Sequence, residues 1–347
     1  MGRAGCTTVL LDASLLSAGD VDDVPGTAAA LEARGYAGIW AAEVNHDPFL
    51  LLHAAGRATE RVTVGTAIAV AFARSPMTLA MTAHDLQRYA RGRFLLGLGS
   101  QVRPHVERRF SMPWGAPVAR MREFVGALRA IWSAWQEGTR LRFEGEYYRH
   151  TLMTPMFSPP AHEWGAPPVH LAAVGPAMTR LVGEVADGLL VHGFTTARYL
   201  RERMLPALEE GLAAAGRSRA DVTVNLPGLV VTGRTDGELA EAAQAVKATI
   251  AFYGSTPAYR PVLDLHGWAA LGEELHALSV SRREDKWTAM RDLVDDDVLA
   301  AFAVIGAPEE LGGLVRERFG DLVDRFSVYA SYPASLDLWD PLVADLA

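Results

Sequence analysis

Short apolar runs alternate with longer amphipathic stretches along most of this chain. Each run is too short for a globular helix, and several end in glycines or polar residues, as Gly92–Ser100 does. Such runs are typical of strands that are buried on both faces of a parallel sheet. The predicted strands are Thr7–Leu11, Gly38–Glu43, Arg61–Phe72, Gly92–Ser100, Val169–Val174, Gly188–Phe194, Val222–Thr232 and Arg325–Ala330.

The amphipathic stretches between these runs predict helices. In Ala119–Gln136 the apolar residues recur at steps of three and four, which places them on one face that packs against a core. The other predicted helices are Val24–Arg34, Pro48–Ala58, Pro76–Arg88, Pro176–Ala186, Ala197–Ala215, Asp236–Ile250 and Pro308–Phe319, with further helical pattern from Ala269 to Phe302.

Three segments interrupt the alternation. Leu141–Tyr148 predicts a small hairpin strand, and the proline-dense Thr154–Pro168 predicts an irregular surface segment. Phe252–Trp268, with Gly254, Pro257 and Pro261, predicts a long loop.

Eight strands that alternate with helices predict an α/β fold, a (β/α)8 TIM barrel with insertions after strand 4 and strand 7. We expect one domain across residues 1–347. The alternative is a doubly wound open sheet, but the chain lacks a phosphate-binding fingerprint after its first strand.

Composition narrows the class of protein. The net charge of -8, without a long basic run, argues against nucleic acid as a partner. Cys6 is the single cysteine, so no internal disulfide can form and a reducing compartment is expected. No signal peptide and no charge-free apolar segment of membrane-spanning length is evident, which favours a cytoplasmic protein without a membrane partner.

The second strand ends in the most polar segment of the predicted barrel mouth, Glu43-Val-Asn-His-Asp47. In such barrels the carboxyl ends of the strands carry the chemistry. Asn45 suits the edge of a polar ring, and His46 titrates near neutral pH and suits acid–base catalysis. Asp47 is better explained as the cap of the helix that begins at Pro48.

The fourth strand contains Gly97 and Gly99 and is followed by Ser100. The glycines allow a flat ligand or another backbone to come close, and the serine can donate a hydrogen bond to it. Small residues at Gly65–Ala69 of the third strand leave room for a ring system. Tight barrel packing explains the fourth strand equally well, and it is the favoured explanation of the small residues in the third strand.

Gly175 and Pro176 connect the fifth strand to the next helix. Such a junction exposes backbone N–H groups at the positive end of the helix dipole, which is a phosphate site. Thr179 adds a hydroxyl one turn later. An ordinary helix start is the alternative.

Other polar residues have simpler explanations. His192 follows the sixth strand and is most simply a core histidine, and Thr195 or Thr196 caps the next helix. His84 and Asp85 are expected on the surface. No histidine stands in a zinc-ligand spacing and no nucleophile elbow or Walker loop occurs, so no metal site is predicted.

Several segments together resemble the bacterial luciferase-like family of barrel oxidoreductases. The similar run Leu171–Arg180, with Glu184–Gly188, resembles the branch that uses the deazaflavin coenzyme F420. The family-like stretches are Gly35–Glu43, Val64–Ile68, Arg74–Pro76, Leu86–Gly99 and Pro168–Phe194.

The resemblance implies a redox ring in the barrel mouth against the third strand, with a cis peptide bond at Ala67–Ile68. The candidate catalytic residues are His46, as acid or base, and Glu43, since an apolar strand has little other reason to end in such polar residues. A catalytic glutamate that sugar-phosphate dehydrogenases of this branch carry is missing from Ser100–Pro104, which argues against sugar-phosphate oxidation. The implied pocket is Glu43, Ala67, Ile68 and Ser100, and the implied contacts of the phosphate-bearing chain are Ala173, Val174, Gly175 and Thr179.

Three functions follow as hypotheses. The first is hydride transfer between coenzyme F420 and a small organic substrate, under an aromatic lid that includes Tyr253, Tyr259 and Trp268. The second is an FMN-dependent monooxygenase supplied by a separate reductase. The third is a cofactor-free partner subunit. Since relatives are commonly dimers, a homodimer is expected.

Overall fold

The computed structural model describes residues 9–15 and 21–346. Cys6 and the first two residues of the predicted strand Thr7–Leu11 lie outside the described residues. The described part of that strand begins at Leu10 and runs to Ser14. The barrel strands are β1 (Leu10–Ser14), β2 (Gly38–Ala41), β3 (Thr63–Thr66), β4 (Phe94–Gly99), β5 (Val169–Ala173), β6 (Gly188–Val191), β7 (Thr223–Val231) and β8 (Arg325–Tyr329).

Eight parallel strands close into a ring. Each strand pairs with the next in chain order, and β8 pairs with β1 to complete the circle. The short strand Ala303–Ile305 pairs with the last residues of β7. The predicted (β/α)8 barrel is therefore confirmed, and the open sheet is excluded.

Several of the described helices begin at a residue whose side chain caps the first turn. Asp47 accepts a hydrogen bond from the Phe49 amide at 2.8 Å, as predicted, and Thr196 accepts one from the Tyr199 amide at 3.1 Å. In the described part of the chain, no helix is long and apolar enough to cross a membrane. The helices are α1 (Val24–Arg34), α2 (Pro48–Ala58), α3 (Pro76–Tyr89), α4 (Pro117–Gln136), α5 (Pro176–Val185), α6 (Ala197–Tyr199), α7 (Leu205–Ala214), α8 (Asp236–Gly254), α9 (Arg260–Leu265), α10 (Ala269–Ser279), α11 (Lys286–Asp292), α12 (Asp296–Phe302), α13 (Leu311–Phe319) and α14 (Asp340–Leu346).

The third strand is interrupted rather than continuous from Arg61 to Phe72. A second short strand, Ala69–Val70, follows β3 after the cis peptide bond Ala67–Ile68, which the family resemblance implied. Opposite β4, the segment from Gly65 to Ala69 contains one residue more than the segment from Leu95 to Leu98, which is a bulge. A bulge bends the strand that contains it, here at the carboxyl end of β3.

Insertions follow β4 and β7, as predicted. After β4 the chain forms a π-helical turn at His105–Arg109, then α4, a hairpin of Phe143–Glu144 with Arg149–His150, and an irregular segment. The prediction of a loop at Phe252–Trp268 was wrong. Helix α8 continues to Gly254, and Pro261 lies in the first turn of α9, where proline is compatible with a helix.

His84 is buried, only 2% exposed, so its predicted surface position was wrong. It lies on the face of α3 that also buries Ala80, Ala83 and Gln87. Its ring is 4.2 Å from that of His162, and burial lowers its pKa. The three- and four-residue steps from Ala80 to His84 and Gln87 carried this signal in the sequence.

A polar layer crosses the inside of the barrel. The Arg325 guanidinium at the start of β8 donates to both carboxylate oxygens of Asp12 in β1, at 2.7 and 2.6 Å. The Trp40 indole donates to the same carboxylate at 2.8 Å. A side chain at Gly38 would collide with both members of the ion pair, so glycine is required there. This ion pair joins the first barrel strand, β1, to the last, β8.

Candidate functional site

Glu43, just beyond the end of β2, joins that strand to the bulge of β3. Its amide donates to the Ile68 carbonyl at 3.0 Å. Its Oε2 atom accepts from the Val70 amide at 2.7 Å and from the Arg74 guanidinium at 2.6 Å. The Glu43 side chain is only 8% exposed, so this ion pair is well shielded from water. Arg74 also reaches Asp47 at 3.1 Å, which links the cap of α2 to the same site.

His46 and Asn45 lie in the connection between β2 and α2, and both are exposed. Arg109, in the π-helical turn after β4, donates to the Val44 carbonyl in this connection. The segments after β2 and β4 therefore meet at the barrel mouth. The imidazole of His46 is open to solvent there.

The bulge and the end of β4 form a surface of small groups. Ala67, Ile68 and Ser100 are half-buried. A Cβ atom at Gly99 would lie 2.9 Å from the Ile68 side chain, so this glycine lets Ile68 pack on the strand backbone. The Ser100 hydroxyl donates to the Gln101 carbonyl at 3.2 Å. These partly exposed residues lie together at the carboxyl ends of β3 and β4.

Gly175 caps the amino end of α5 with extended backbone and without a side chain. A Cβ atom there would meet no heavy atom within 4 Å, so the space in front of the helix is open. The first-turn amides have no capping side chain in the described residues, and Pro176 occupies the first turn. An anionic group would be stabilised at this position by those amides and by the helix dipole.

The other predicted contacts near α5 are closely packed. Ala173 is buried, and Val174 accepts a hydrogen bond from the Tyr199 hydroxyl at 3.4 Å. Thr179 is fully buried, and its hydroxyl donates back to the Gly175 carbonyl at 3.0 Å. That bond orients the threonine toward the backbone of the helix start. Its contact with a phosphate stays a prediction, as do the roles of the other site residues.

A cluster of four aromatic side chains lies across the ends of β6 and β8. We name it the His192 cluster: His192, Tyr253, Tyr259 and Tyr329. The His192 ring stacks on Tyr259 at 4.5 Å and meets Tyr253 edge-on at 4.8 Å. The Tyr253 and Tyr329 hydroxyls are 2.9 Å apart, and all four residues are half-buried.

Burial sets the protonation states in the His192 cluster. It lowers the pKa of His192 to about 4. It raises the pKa of Tyr259 to about 12, with a smaller contribution from Tyr253, and raises that of Tyr329 further. All of these groups are therefore neutral at pH 7.

Only part of the His192 cluster was predicted from the sequence. Tyr253 and Tyr259 were predicted as lid residues, but Trp268 instead stacks on His266 at 4.5 Å. Tyr329 was missed, although it lies in the last predicted strand, Arg325–Ala330. Arg74 was also missed as the partner of Glu43. Among residues 9–15 and 21–346, no group of three or more histidine, cysteine, aspartate or glutamate side chains could hold a metal ion.

Comparison with known proteins agrees with this architecture. A family model described as luciferase-like monooxygenase matches residues 4–325. An uncharacterized protein of Mycobacterium tuberculosis is 55% identical over 298 residues, which are 86% of this chain and 87% of the relative. An F420-dependent glucose-6-phosphate dehydrogenase of Intrasporangium calvum is 32% identical over 191 residues, which are 53% of this chain and 55% of the relative.

A solved structure shows the same fold. The coenzyme F420 dependent tetrahydromethanopterin reductase from Methanopyrus kandleri superposes with a TM-score of 0.79. The superposition covers 96% of this chain and 97% of that chain, at 21% sequence identity. At that identity the similarity establishes the barrel alone.

Proposed function

The chain belongs to the luciferase-like monooxygenase family, and from this membership we propose that it transfers a hydride between coenzyme F420 and a small organic substrate. The family makes it an enzyme of the luciferase-like oxidoreductase class. The coenzyme, the substrate and the residue roles are the proposal.

The observation that carries the proposal is the open, uncapped start of α5, which follows the strand that pairs with β4, next to the partly exposed Ala67, Ile68 and Ser100. Ala67, Ile68 and Ser100 would hold one face of a planar ring, and the amides that follow Gly175 would hold its anionic chain. The bound coenzyme would supply the hydride chemistry. The chain contributes position, orientation and exclusion of water.

His46 is proposed as the group that exchanges a proton with the substrate. It is exposed at the mouth, while Glu43 is held by Arg74 and by the Val70 amide. Glu43 would therefore act by fixing the bulge that supports the ring. Because the two residues have different proposed roles, each can be tested by its own substitution.

The names of several relatives favour F420 over FMN. They include F420-dependent glucose-6-phosphate dehydrogenases and a 5,10-methylenetetrahydromethanopterin reductase. A sugar phosphate is a poor candidate substrate here, because Ser100–Pro104 contains no carboxylate. An FMN monooxygenase with a separate reductase is the alternative that the experiment must separate.

The test is a pair of coenzyme titrations. The purified protein is titrated with F420 and, separately, with FMN, in oxidised and reduced forms, and the absorbance and fluorescence changes are recorded. We expect saturable binding of F420 and at least about tenfold weaker binding of FMN, equivalent to about 1.4 kcal/mol. Tight FMN binding with oxygen consumption would establish the monooxygenase instead, and binding of neither would favour a partner subunit.

Gly175 offers a matched pair of variants. Gly175→Asp and Gly175→Asn both supply an N-cap side chain where the structure has room, so both should fold at least as stably as the parent chain. Only the aspartate puts a negative charge where the anionic chain would lie. We expect Gly175→Asp to bind the coenzyme at least about tenfold more weakly than Gly175→Asn. Equal affinities would place the anion elsewhere.

A further inference from the structure

The His192 cluster consists of side chains from distant parts of the chain that meet at the carboxyl ends of β6 and β8. Tyr253 comes from the end of α8 and Tyr259 from the insertion that follows it. All four residues remain partly exposed although their rings pack on one another. Part of their surface is thus available to a molecule in the barrel mouth, where such barrels bind substrates.

The hydrogen bonds of His192 fix where its proton lies. Its Nδ1 atom accepts from the Phe194 amide at 3.0 Å, so the neutral ring carries its hydrogen on Nε2. That Nε2–H faces the Tyr259 hydroxyl oxygen at 3.0 Å and donates to it. The hydroxyl hydrogen of Tyr259 is then directed away from His192 and can be donated to another acceptor.

The second pair in the cluster supplies another donor. Of the Tyr253 and Tyr329 hydroxyls, 2.9 Å apart, one donates to the other, which leaves one hydroxyl hydrogen for a further acceptor. The cluster thus combines aromatic faces with two phenolic donors. His192, Tyr259 and Tyr329 carry no charge at neutral pH, because burial lowers the pKa of the histidine and raises those of the two tyrosines.

We infer that the His192 cluster is the substrate-binding wall of this enzyme, that it selects uncharged planar molecules with a carbonyl oxygen, and that Tyr259 is the specificity-determining donor. This inference rests on the proposed function, since it names the substrate class of that site. An anionic molecule of the same shape is disfavoured, because it would lose its water without gaining a cation from the wall.

The test uses two probes of similar shape, acetophenone and benzoate. Their binding to the purified protein is measured by ligand-observed NMR and by calorimetry, with and without coenzyme F420. We expect acetophenone to bind at least about tenfold more tightly than benzoate, which reflects the uncompensated desolvation of the carboxylate. Tyr259→Phe keeps the ring and removes the donor, so it should weaken acetophenone binding about three- to tenfold.

Two further variants separate this role from a structural one. Tyr89→Phe removes an exposed hydroxyl on α3, outside the cluster, and should leave both affinities unchanged. His192→Phe removes the group that orients Tyr259. We expect His192→Phe to weaken acetophenone binding by no more than Tyr259→Phe does. The double variant His192→Phe/Tyr259→Phe should bind acetophenone no more weakly than Tyr259→Phe alone.

The inference is overturned if acetophenone fails to bind, if benzoate binds as tightly, or if Tyr259→Phe binds acetophenone like the parent chain. Titration of the same samples with F420 reports on the proposed function separately. If the coenzyme binds but acetophenone and benzoate bind equally well, the substrate-binding role of the His192 cluster is refuted and the proposed function is not. Loss of coenzyme binding with the preference intact would refute the proposed function alone.

Discussion

Glu43 and His46 lie three residues apart, yet the structure gives them different surroundings. The Glu43 carboxylate is shielded and accepts hydrogen bonds from Val70 and Arg74, while the His46 ring faces solvent. A group that is fully engaged with the backbone and an arginine is suited to holding a shape. A solvated imidazole is suited to exchanging protons.

His46→Asn tests the proposed proton exchange. We expect turnover to fall about 100-fold or more, the usual contribution of a general acid or base. Coenzyme affinity should change less than about twofold, because the ring is proposed to rest on β3 rather than on His46. Steady-state kinetics and coenzyme titration give the two numbers. His53→Asn, an exposed histidine on α2, is the control, and an equal loss in both variants would contradict the role.

At the scale of the element, the Thr66 side chain joins β3 to β4 at the start of the bulge. Its hydroxyl donates to the Gly97 carbonyl at 2.6 Å and accepts from the Gly97 amide at 2.8 Å. A side chain at position 97 would collide with the Thr66 carbonyl, so the glycine permits this close approach. One hydroxyl thus satisfies two buried backbone groups.

Thr66→Val should therefore be costly, although it keeps the shape of the side chain. Two buried backbone groups lose their partner, which we expect to lower the free energy of unfolding by about 2–4 kcal/mol. Thr232→Val is the matched control. That threonine is 1% exposed, and its hydroxyl has no partner in the described residues, so the change should be neutral or slightly stabilising. Urea melts compare the two, and similar losses would refute the bridging role.

On the scale of the whole molecule, the interior of the barrel holds charged and neutral polar groups side by side. His170 in β5 receives a hydrogen bond from the Asn225 amide at 3.3 Å, and the Asp12–Arg325 pair lies in the same interior. Burial, and then the positive charge of Arg325, lower the pKa of His170 to about 3. Its ring is therefore neutral in the folded protein at all ordinary pH values.

Acid should destabilise the protein through these buried histidines. Because folding lowers the pKa of His170 and His192, only the unfolded chain gains their protons once the pH falls below about 6.5. Each histidine then removes about 1.4 kcal/mol from the free energy of unfolding per pH unit. The stability that the two neutral histidines contribute is fully present above about pH 6.5 and decreases as the pH falls toward 4.

Urea melts between pH 8 and pH 4.5 measure this slope. His170→Gln should be less stable than the parent chain at pH 8 but should lose about 1.4 kcal/mol less per pH unit below pH 6. His105→Gln, an exposed position, should keep the slope of the parent chain. An unchanged slope in His170→Gln would show that acid acts through other groups.

Local sequence patterns were sufficient to predict the order of strands and helices. Apolar runs of strand length and amphipathic steps such as Ala119–Gln136 depend on near neighbours, and they were enough to predict the eight-stranded barrel. Caps such as Asp47 were predictable for the same reason. The resemblance to a family added the cis bond at Ala67–Ile68, which the structure confirms.

Only the tertiary structure decided which side chains meet. Asp12 and Arg325 are more than three hundred residues apart, and only closure of the barrel joins them. Tyr329 enters the His192 cluster because β8 ends beside β6 across β7. The ring contact between His84 and His162 joins residues 78 positions apart, and no local pattern specifies it. The sequence by itself determined the elements, because their periodicity is local, whereas contacts between distant segments exist only once the ring is closed.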